Sequence, residues 1–299
     1  MDKRLAIDVG GSSIKYALVG EGHLILEQGK VPAPREVKEE FIEAIGQLYD
    51  RYALQISGMG VSMAGKVNPH TGYVVSAGSF PFFTGTNMVE ALYERCPTHI
   101  TVDNDARCAA LAELYYGSLT EANNALVIVL GTGIGGAVAI NRQLLDGARY
   151  CAAELSFLRV SGNEDTSDCW LWRGGAQGLC LMAKQALGVE DDVDGFKVFE
   201  LADAGDERIL NMLDEYARIA AVQIYNLQCL LDVEAVAIGG GISAREDLID
   251  RIRTKLQAIY DAEAAYQIPP AMPRVVACQF RNDANLIGAW HDNVSRVLP

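Results

Sequence analysis

The sequence contains no C-x-x-C pair, no basic stripe, no long apolar run and no Pro-, Gly- and Ser-rich linker, and each absence removes a class of protein. Cys96, Cys108, Cys151, Cys169, Cys180, Cys229 and Cys278 stand singly and are odd in number, so neither a disulfide framework nor a zinc knuckle is indicated, and most of them read as small buried hydrophobes. Acidic residues outnumber basic ones, 39 to 25, for a formal charge of −14. That balance argues against a nucleic-acid binder, because phosphate backbones are held by clustered Lys and Arg. No stretch approaches the roughly 18 apolar residues of a membrane span. Met1-Asp-Lys-Arg4 leads straight into an apolar strand with no long apolar export region, so the expectation is a soluble cytoplasmic protein. With 299 residues, half of them hydrophobic, the chain can fill a sizeable core and suggests two domains. Without a linker, the boundary near Tyr115–Thr120 is expected at a helix end and not at a tether.

What the sequence does contain is two glycine-rich turns, each after an apolar strand: Arg4-Leu-Ala-Ile-Asp-Val-Gly-Gly-Ser-Ser-Ile-Lys15 and Ala125-Leu-Val-Ile-Val-Leu-Gly-Thr-Gly-Ile-Gly-Gly136. Consecutive glycines let a chain reverse while presenting bare N–H groups, a ready nest for phosphate oxygens. Neither turn has the lysine-ended Walker pattern, and neither opens a helix as a dinucleotide fingerprint would. Ile14–Val19 and Ala137–Ile140 follow them as strands, so both are tight hairpins. Their recurrence in each half suggests a duplicated plan with two phosphate-facing loops across a cleft. Asp8 lies just before the first turn. It either caps that turn or holds hydrated Mg²⁺ against polyphosphate, since Mg²⁺ binds through one or two carboxylates plus substrate oxygens.

Around the hairpins, strands and helices alternate. Strands are expected at His23–Glu27, Ile56–Met63, His99–Val102 and Val233–Ile238. Helices are expected at Glu36–Tyr52, Asn87–Arg95, Ala106–Gly117, Glu207–Leu231, Ala244–Tyr260 and Asp283–Val297. Asp146 to Gly175 reads as loop-rich.

Three further groups carry chemistry. In Val102-Asp-Asn-Asp-Ala106 a strand ends in alternating carboxylates and enters a helix. Asp103 or Asn104 can cap that helix, while Asp105 is placed to take a proton from an attacking hydroxyl. Asn104, both donor and acceptor, suits a polyhydroxylated ligand. Ala235-Val-Ala-Ile-Gly-Gly-Gly-Ile-Ser243 is either a plain strand-to-helix turn or a loop flat enough for adenine and ribose to lie against backbone. Glu154, in Ala152-Ala-Glu-Leu-Ser156, is either a solvated loop charge or a ligand contact.

Together these residues resemble the ROK family of sugar kinases and their relatives, over nearly the whole chain. Asp8–Lys15 looks like the family's first phosphate motif and Gly58-Met-Gly-Val-Ser-Met-Ala-Gly65 like its following strand. Asn104-Asp105 matches its sugar-binding and catalytic pair, Leu130–Gly136 its second phosphate motif, Ile238–Ser243 its adenosine loop, and Leu286-Ile-Gly-Ala289 the start of its last helix. The resemblance implies an α/β, two-domain actin-like (ribonuclease H-like) ATPase fold with an interdomain active-site cleft. The N-terminal domain would span 1–115, with a C-terminal helix 284–299 packed back on it, and the C-terminal domain 116–283. It implies ATP-dependent phosphorylation of a hydroxyl, the 6-OH, of a hexose or small β-glucoside, with Asp105 as general base and Gly65, Asn104, Asp105 and Glu154 on the sugar. ATP would be held by Gly10, Gly11, Ser12 and Lys15, by Gly131, Thr132 and Gly133, and by Gly239, Gly240 and Gly241, with Asp8 reaching Mg²⁺ through water. A homodimer is the family expectation.

The chain departs from the zinc-holding members. Phe157 stands where they carry a His, and Asp168-Cys-Trp-Leu-Trp-Arg-Gly-Gly175 keeps one cysteine of their cluster, so no tetrahedral zinc site is expected. Phe157, Trp170 and Trp172 either fill the space left by the metal or offer an apolar face to a sugar or aglycone. A sugar-sensing repressor of the family would need a helix-turn-helix ahead of the first strand, where only Met1–Arg4 stand. An actin-like ATPase using water as acceptor would share the phosphate loops but has no use for the Asn104, Asp105 and Glu154 set, and a catalytically weak sugar-binding protein is disfavoured by the presence of both Asp8 and Asp105.

Overall fold

The structure is a computed structural model that describes residues 2–264 and 270–296. Along the chain run β1 (Arg4–Val9), β2 (Ser13–Val19), β3 (Ile25–Pro32), α1 (Lys38–Tyr52), β4 (Gly58–Met63), β5 (Lys66–Val67), β6 (Tyr73–Ser76), β7 (Thr86–Asn87), α2 (Met88–Tyr93), β8 (His99–Asn104) and α3 (Asp105–Tyr116). They are followed by β9 (Ala125–Leu130), β10 (Ile134–Ile140), β11 (Gln143–Leu144), α4 (Gly175–Leu187), α5 (Gly195–Asp203), α6 (Glu207–Leu231), β12 (Ala235–Gly239), α7 (Glu246–Glu263), β13 (Arg274–Ala277) and α8 (Ala284–Ser295). The chain divides into two compact units: the first holds residues up to Tyr115, Asp146–Ala152 and the stretch from Asn282 onward, the second Tyr116–Leu145 and Ala153–Arg281.

Each unit is built on one five-stranded sheet, ordered β3-β2-β1-β4-β8 in the first and β11-β10-β9-β12-β13 in the second. In both, the glycine hairpin makes an antiparallel pair, β1 with β2 and β9 with β10; the strand before the turn pairs in parallel with the next, β4 or β12, which in turn pairs in parallel with the edge strand, β8 or β13. This repeat is the two-domain actin-like ATPase plan. No described helix is long and apolar enough to cross a membrane.

The first sheet is covered on both faces, and the alternation of β1 shows what covers each. Leu5, Ile7 and Val9 join Phe41, Ile45, Leu48 and Tyr52 of α1 in one apolar core. The opposite face carries Arg4 and Asp8, both buried, and is met by α8: Arg4 Nη1 donates to Asn293 Oδ1 at 3.1 Å and Asn285 Nδ2 donates to Asp8 Oδ1 at 3.0 Å. Period-two side-chain direction thus sorts an apolar face from a polar one within a single buried strand. Asn293, wholly buried, also donates to the Met59 carbonyl at 3.0 Å.

Glycine makes this docking possible. A Cβ on Gly60 of β4 would lie 2.0 Å from the Ala289 carbonyl oxygen, and one on Gly288 of α8 would lie 1.7 Å from that of Cys108 in α3. Helix α3 is correspondingly small-sided, with Ala106, Cys108, Ala109, Ala110 and Ala112 all buried.

Some elements depart from the sequence expectation. The third strand starts at Ile25 and runs on to Pro32, because β2 offers pairing along its whole length up to Ser13. The helix after the triple glycine begins at Glu246, after a 3-10 turn at Gly241–Ala244. The last helix ends at Ser295; Val297, and with it the end of the expected 284–299 span, lies outside the described residues.

The close approach of α8 makes a stability prediction. Gly288→Ala should lower the melting temperature by about 5–10 °C, the effect of overpacking against backbone that cannot give way. Gly162→Ala, where nothing lies within 4 Å of the added carbon, should leave it unchanged, and equal thermal unfolding of the two variants would contradict the packing described.

Candidate active site

The parallel register of the first sheet brings distant residues together. Asp8 of β1 is level with Ser62 of β4, and Ser62 with Asp103 of β8, so the carboxyl ends of three strands converge, where ligands of open α/β sheets bind. Ser62 Oγ donates to Asp8 Oδ1 at 3.0 Å, the same oxygen that Asn285 reaches. On the neighbouring strand Lys15 is the cross-strand partner of Asp8, its Nζ 3.6 Å from Oδ2. Between β1 and β2, the Gly10 N–H bonds to the Ser13 carbonyl at 3.0 Å and closes the turn. Gly11 and Ser12 are exposed, and their amides find no acceptor among the described residues. A buried carboxylate with one oxygen fixed by two donors, beside an open amide turn, fits a hydrated divalent cation and a phosphate.

At the end of β8 the chain turns into α3, and Asn104 is the joint. Its Oδ1 accepts from the Ala106 and Arg107 amides at 2.9 and 3.2 Å, capping the helix, while its Nδ2 donates to the Gly65 carbonyl and to Asp105 Oδ1, both at 2.9 Å. Gly65 sits at φ +126°, where a Cβ would lie 2.2 Å from the Ser76 carbonyl oxygen. Asp105 also accepts at Oδ1 from the Ala106 amide, 2.9 Å away, and among the described residues Oδ2 takes no hydrogen bond and no ion pair forms. Burial raises the Asp105 carboxyl above its ordinary value, the Asp8 charge adds to the rise, and the Ala106 and Asn104 donors hold it back.

Beneath this corner lies a charged cluster. Asp103, fully buried, accepts from the Asn104 amide and from Arg107 Nε, both at 2.7 Å. Arg296 reaches it from the end of α8 at 3.5 Å and pairs with Asp292 at 2.7 Å. Burial pushes the Asp292 carboxyl up to about 6, with Arg296 opposing the shift and Asp103 adding to it.

The second unit supplies loops of backbone. Gly131, Thr132 and Gly133 form the β9–β10 turn, braced from two sides. The Ile134 amide donates to Ser156 Oγ at 3.0 Å, and the Gly131 carbonyl accepts from the Ala176 amide of α4 at 2.7 Å. Gly175, at φ +60°, lets α4 begin against this turn: a Cβ there would meet the Gly133 oxygen at 2.5 Å. Gly239 ends β12, Gly241 is open, and Gly240, at φ +90°, lies where a Cβ would be 2.3 Å from the Leu130 carbonyl oxygen. Glu154 precedes a 3-10 turn at Leu155–Phe157 and follows Ala153, which has φ +62°.

The aromatic residues near Glu154 divide. Trp170 is buried in the second core, whereas Phe157 and Trp172 are 63% and 40% exposed. Among the described residues no three of His, Cys, Asp and Glu gather as metal ligands. Sequence reasoning passed over Ser62, Asn285 and Gly175. Ser62 sits in an apolar strand and Asn285 is 277 positions from Asp8, so only tertiary pairing reveals them; Gly175, next to Gly174 after a run of aromatics, carried a signal that consecutive glycines could have given.

The ROK family model matches residues 4–291. A β-glucoside kinase of Klebsiella pneumoniae is 29% identical, covering 97% of this chain and 96% of that protein. Among solved structures, a ROK family protein from Streptococcus pneumoniae in complex with sucrose is 28% identical with a TM-score of 0.87, covering 98% of each chain. A ROK glucokinase from Streptomyces griseus, in complex with glucose and AMPPNP, is 26% identical with a TM-score of 0.80, covering 96% of this chain and 97% of that one.

Asp292 sets a pH dependence of stability. Its folded-state value of about 6 lies above the unfolded one, so the stability linked to its proton is complete below about pH 4 and is lost as pH rises through about 6. Between about pH 4.5 and about pH 7, the melting temperature of Asp292→Asn should therefore gain on that of the wild type. Parallel curves would contradict the assignment.

Proposed function

Since the chain belongs to the ROK family, we propose that it is an ATP-dependent carbohydrate kinase that phosphorylates the 6-OH of a hexose or small β-glucoside, with Asp105 as general base. The observation that carries this reading is the Asp105 carboxylate: half-buried at the end of β8, free of ion pairs among the described residues, with Oδ2 uncommitted and its affinity for a proton raised. A carboxylate whose affinity for a proton is raised accepts one from a hydroxyl more readily.

In the proposed reaction the acceptor oxygen attacks the γ-phosphorus of ATP, its proton passes to Asp105 Oδ2, and ADP leaves with the bridging oxygen. Asn104, Gly65 and Glu154 orient the sugar. The phosphates rest on the amides of the Gly10-Gly11-Ser12 and Gly131-Thr132-Gly133 turns, with Lys15 adding charge, and the nucleoside lies on Gly239-Gly240-Gly241. Asp8 would hold Mg²⁺ through water, and the ion when bound neutralises phosphate charge. Catalysis on this account is positioning and charge stabilisation. A cytoplasmic homodimer belongs to the same reading and rests on family likeness.

Exposed Phe157 and Trp172 favour an acceptor with an apolar substituent, hence a β-glucoside over a bare hexose. ADP release measured over glucose, mannose, N-acetylmannosamine, fructose and cellobiose discriminates these, and a rate independent of any added sugar would favour an ATPase instead. Asp105→Asn should lower kcat by about 10³-fold or more while leaving sugar affinity within roughly tenfold. In the wild type, kcat/KM should fall on the acid side with a midpoint above the ordinary carboxylate range, since the protonated base is inactive. Near-normal turnover of the variant would refute the assignment.

A further inference from the structure

Asp146–Ala152 belongs to the first unit although the residues on either side of it belong to the second. The hydrogen bonds that tie it there converge on one carboxylate. Asp146 Oδ1 accepts from Arg107 Nη2 at 2.7 Å, and Oδ2 lies 2.9 Å from His70 Nε2. Within the segment the Ala152 amide bonds to the Asp146 carbonyl at 3.4 Å, and Gly147 and Tyr150 take positive φ of 73° and 56°, folding the stretch into a closed turn. The Tyr150 ring stands edge-on to His70 with centroids 6.5 Å apart.

Arg107 is the other end of this tie. It stands in the first turn of α3, and its Nε donates to Asp103 Oδ1 at 2.7 Å, the oxygen that also accepts from the Asn104 amide. The Arg107 side chain is only 12% exposed and Asp103 not at all. A rigid guanidinium fork thus joins two carboxylates: one fixes the backbone under Asn104 and Asp105, the other begins a segment that runs directly into Ala153 and Glu154. Lysine, with a single ammonium, cannot reproduce that fork. Asn104 already caps α3, so the helix end does not depend on Arg107.

We propose that Arg107 is a positioning residue for the acceptor sugar: by joining Asp103 to Asp146 it holds the 146–152 strap against the β8–α3 corner and so fixes the backbone that presents Asn104 and Asp105. The inference rests on the sugar-kinase reading given above. It assigns Arg107 no contact with substrate and predicts a selective effect on the sugar and none on the nucleotide.

Arg107→Gln, Arg107→Lys, Asp146→Asn and the Arg107→Gln/Asp146→Asn double variant test it in the full chain. Arg107→Gln should raise KM for the sugar, and its calorimetric Kd without nucleotide, about tenfold, with KM for ATP within about twofold. Asp146→Asn should do the same, the double variant no more than either alone, and Arg107→Lys should recover part of the loss. Trypsin provides a readout without activity, because Arg149 is exposed within the strap: cleavage after it should be faster in the folded Gln and Asn variants than in the wild type. An equal rise in both KM values, additive effects in the double variant, or unchanged cleavage at Arg149 would overturn the proposal. Should Arg107→Gln not fold, Asp146→Asn and Arg107→Lys carry the same comparison. If the wild type phosphorylates no sugar, the kinase reading falls, and the cleavage rate at Arg149 alone decides the tether.

Discussion

The first unit depends on how closely α8 can lie on its sheet. Backbone meets backbone at Gly60 and Ala289 on one side of the helix and at Gly288 and Cys108 on the other, distances that any side chain would forbid. Every polar link from the C-terminal segment follows from that approach. Asn285 reaches Asp8, Asn293 reaches Arg4 and the Met59 carbonyl, and Arg296 reaches Asp103. Move the helix outward by the width of a methyl group and the buried asparagines lose their partners together, leaving polar groups stranded in an apolar layer.

The second unit uses glycine differently. There the close approaches are loop against loop: Gly175 lets the start of α4 touch the β9–β10 turn, and Gly240 lets the β12 turn touch the end of β9. Both are left-handed backbones, which glycine adopts without steric cost. The amides that face outward from these turns are therefore held by backbone geometry and hydrogen bonds, with few side chains to reposition. A site that must stabilise charge benefits from dipoles fixed before the reaction begins.

Much of this was readable from the chain because the chemistry demands particular residues in sequence. Two glycine hairpins announce themselves: a tight turn with open amides needs adjacent glycines, and apolar strands on either side leave few alternatives. Asn104 and Asp105 were readable for a related reason, since a polar pair at a strand-to-helix junction must cap, bind or both, and Asn104 caps the helix while bonding to Gly65. Ser62 and Asn285 were hidden, because their roles exist only once β4 and α8 lie beside β1. Nor could the pattern separate Trp170 from Trp172: two residues apart in one aromatic run, one is sealed in the core and the other faces solvent. The charged cluster under the site escaped notice too, its members being drawn from β8, α3, α8 and the 146–152 strap.

The placement of α8 bears on the order in which the protein can be made. Its residues leave the ribosome after the whole second unit, so during synthesis the β1–β4–β8 face that bears Arg4 and Asp8 waits without its cover. Until translation reaches α8, the nascent first unit is half an assembly, exposed to chaperones and to mispairing, and among the described residues its candidate metal ligand keeps Ser62 and Lys15 but not Asn285.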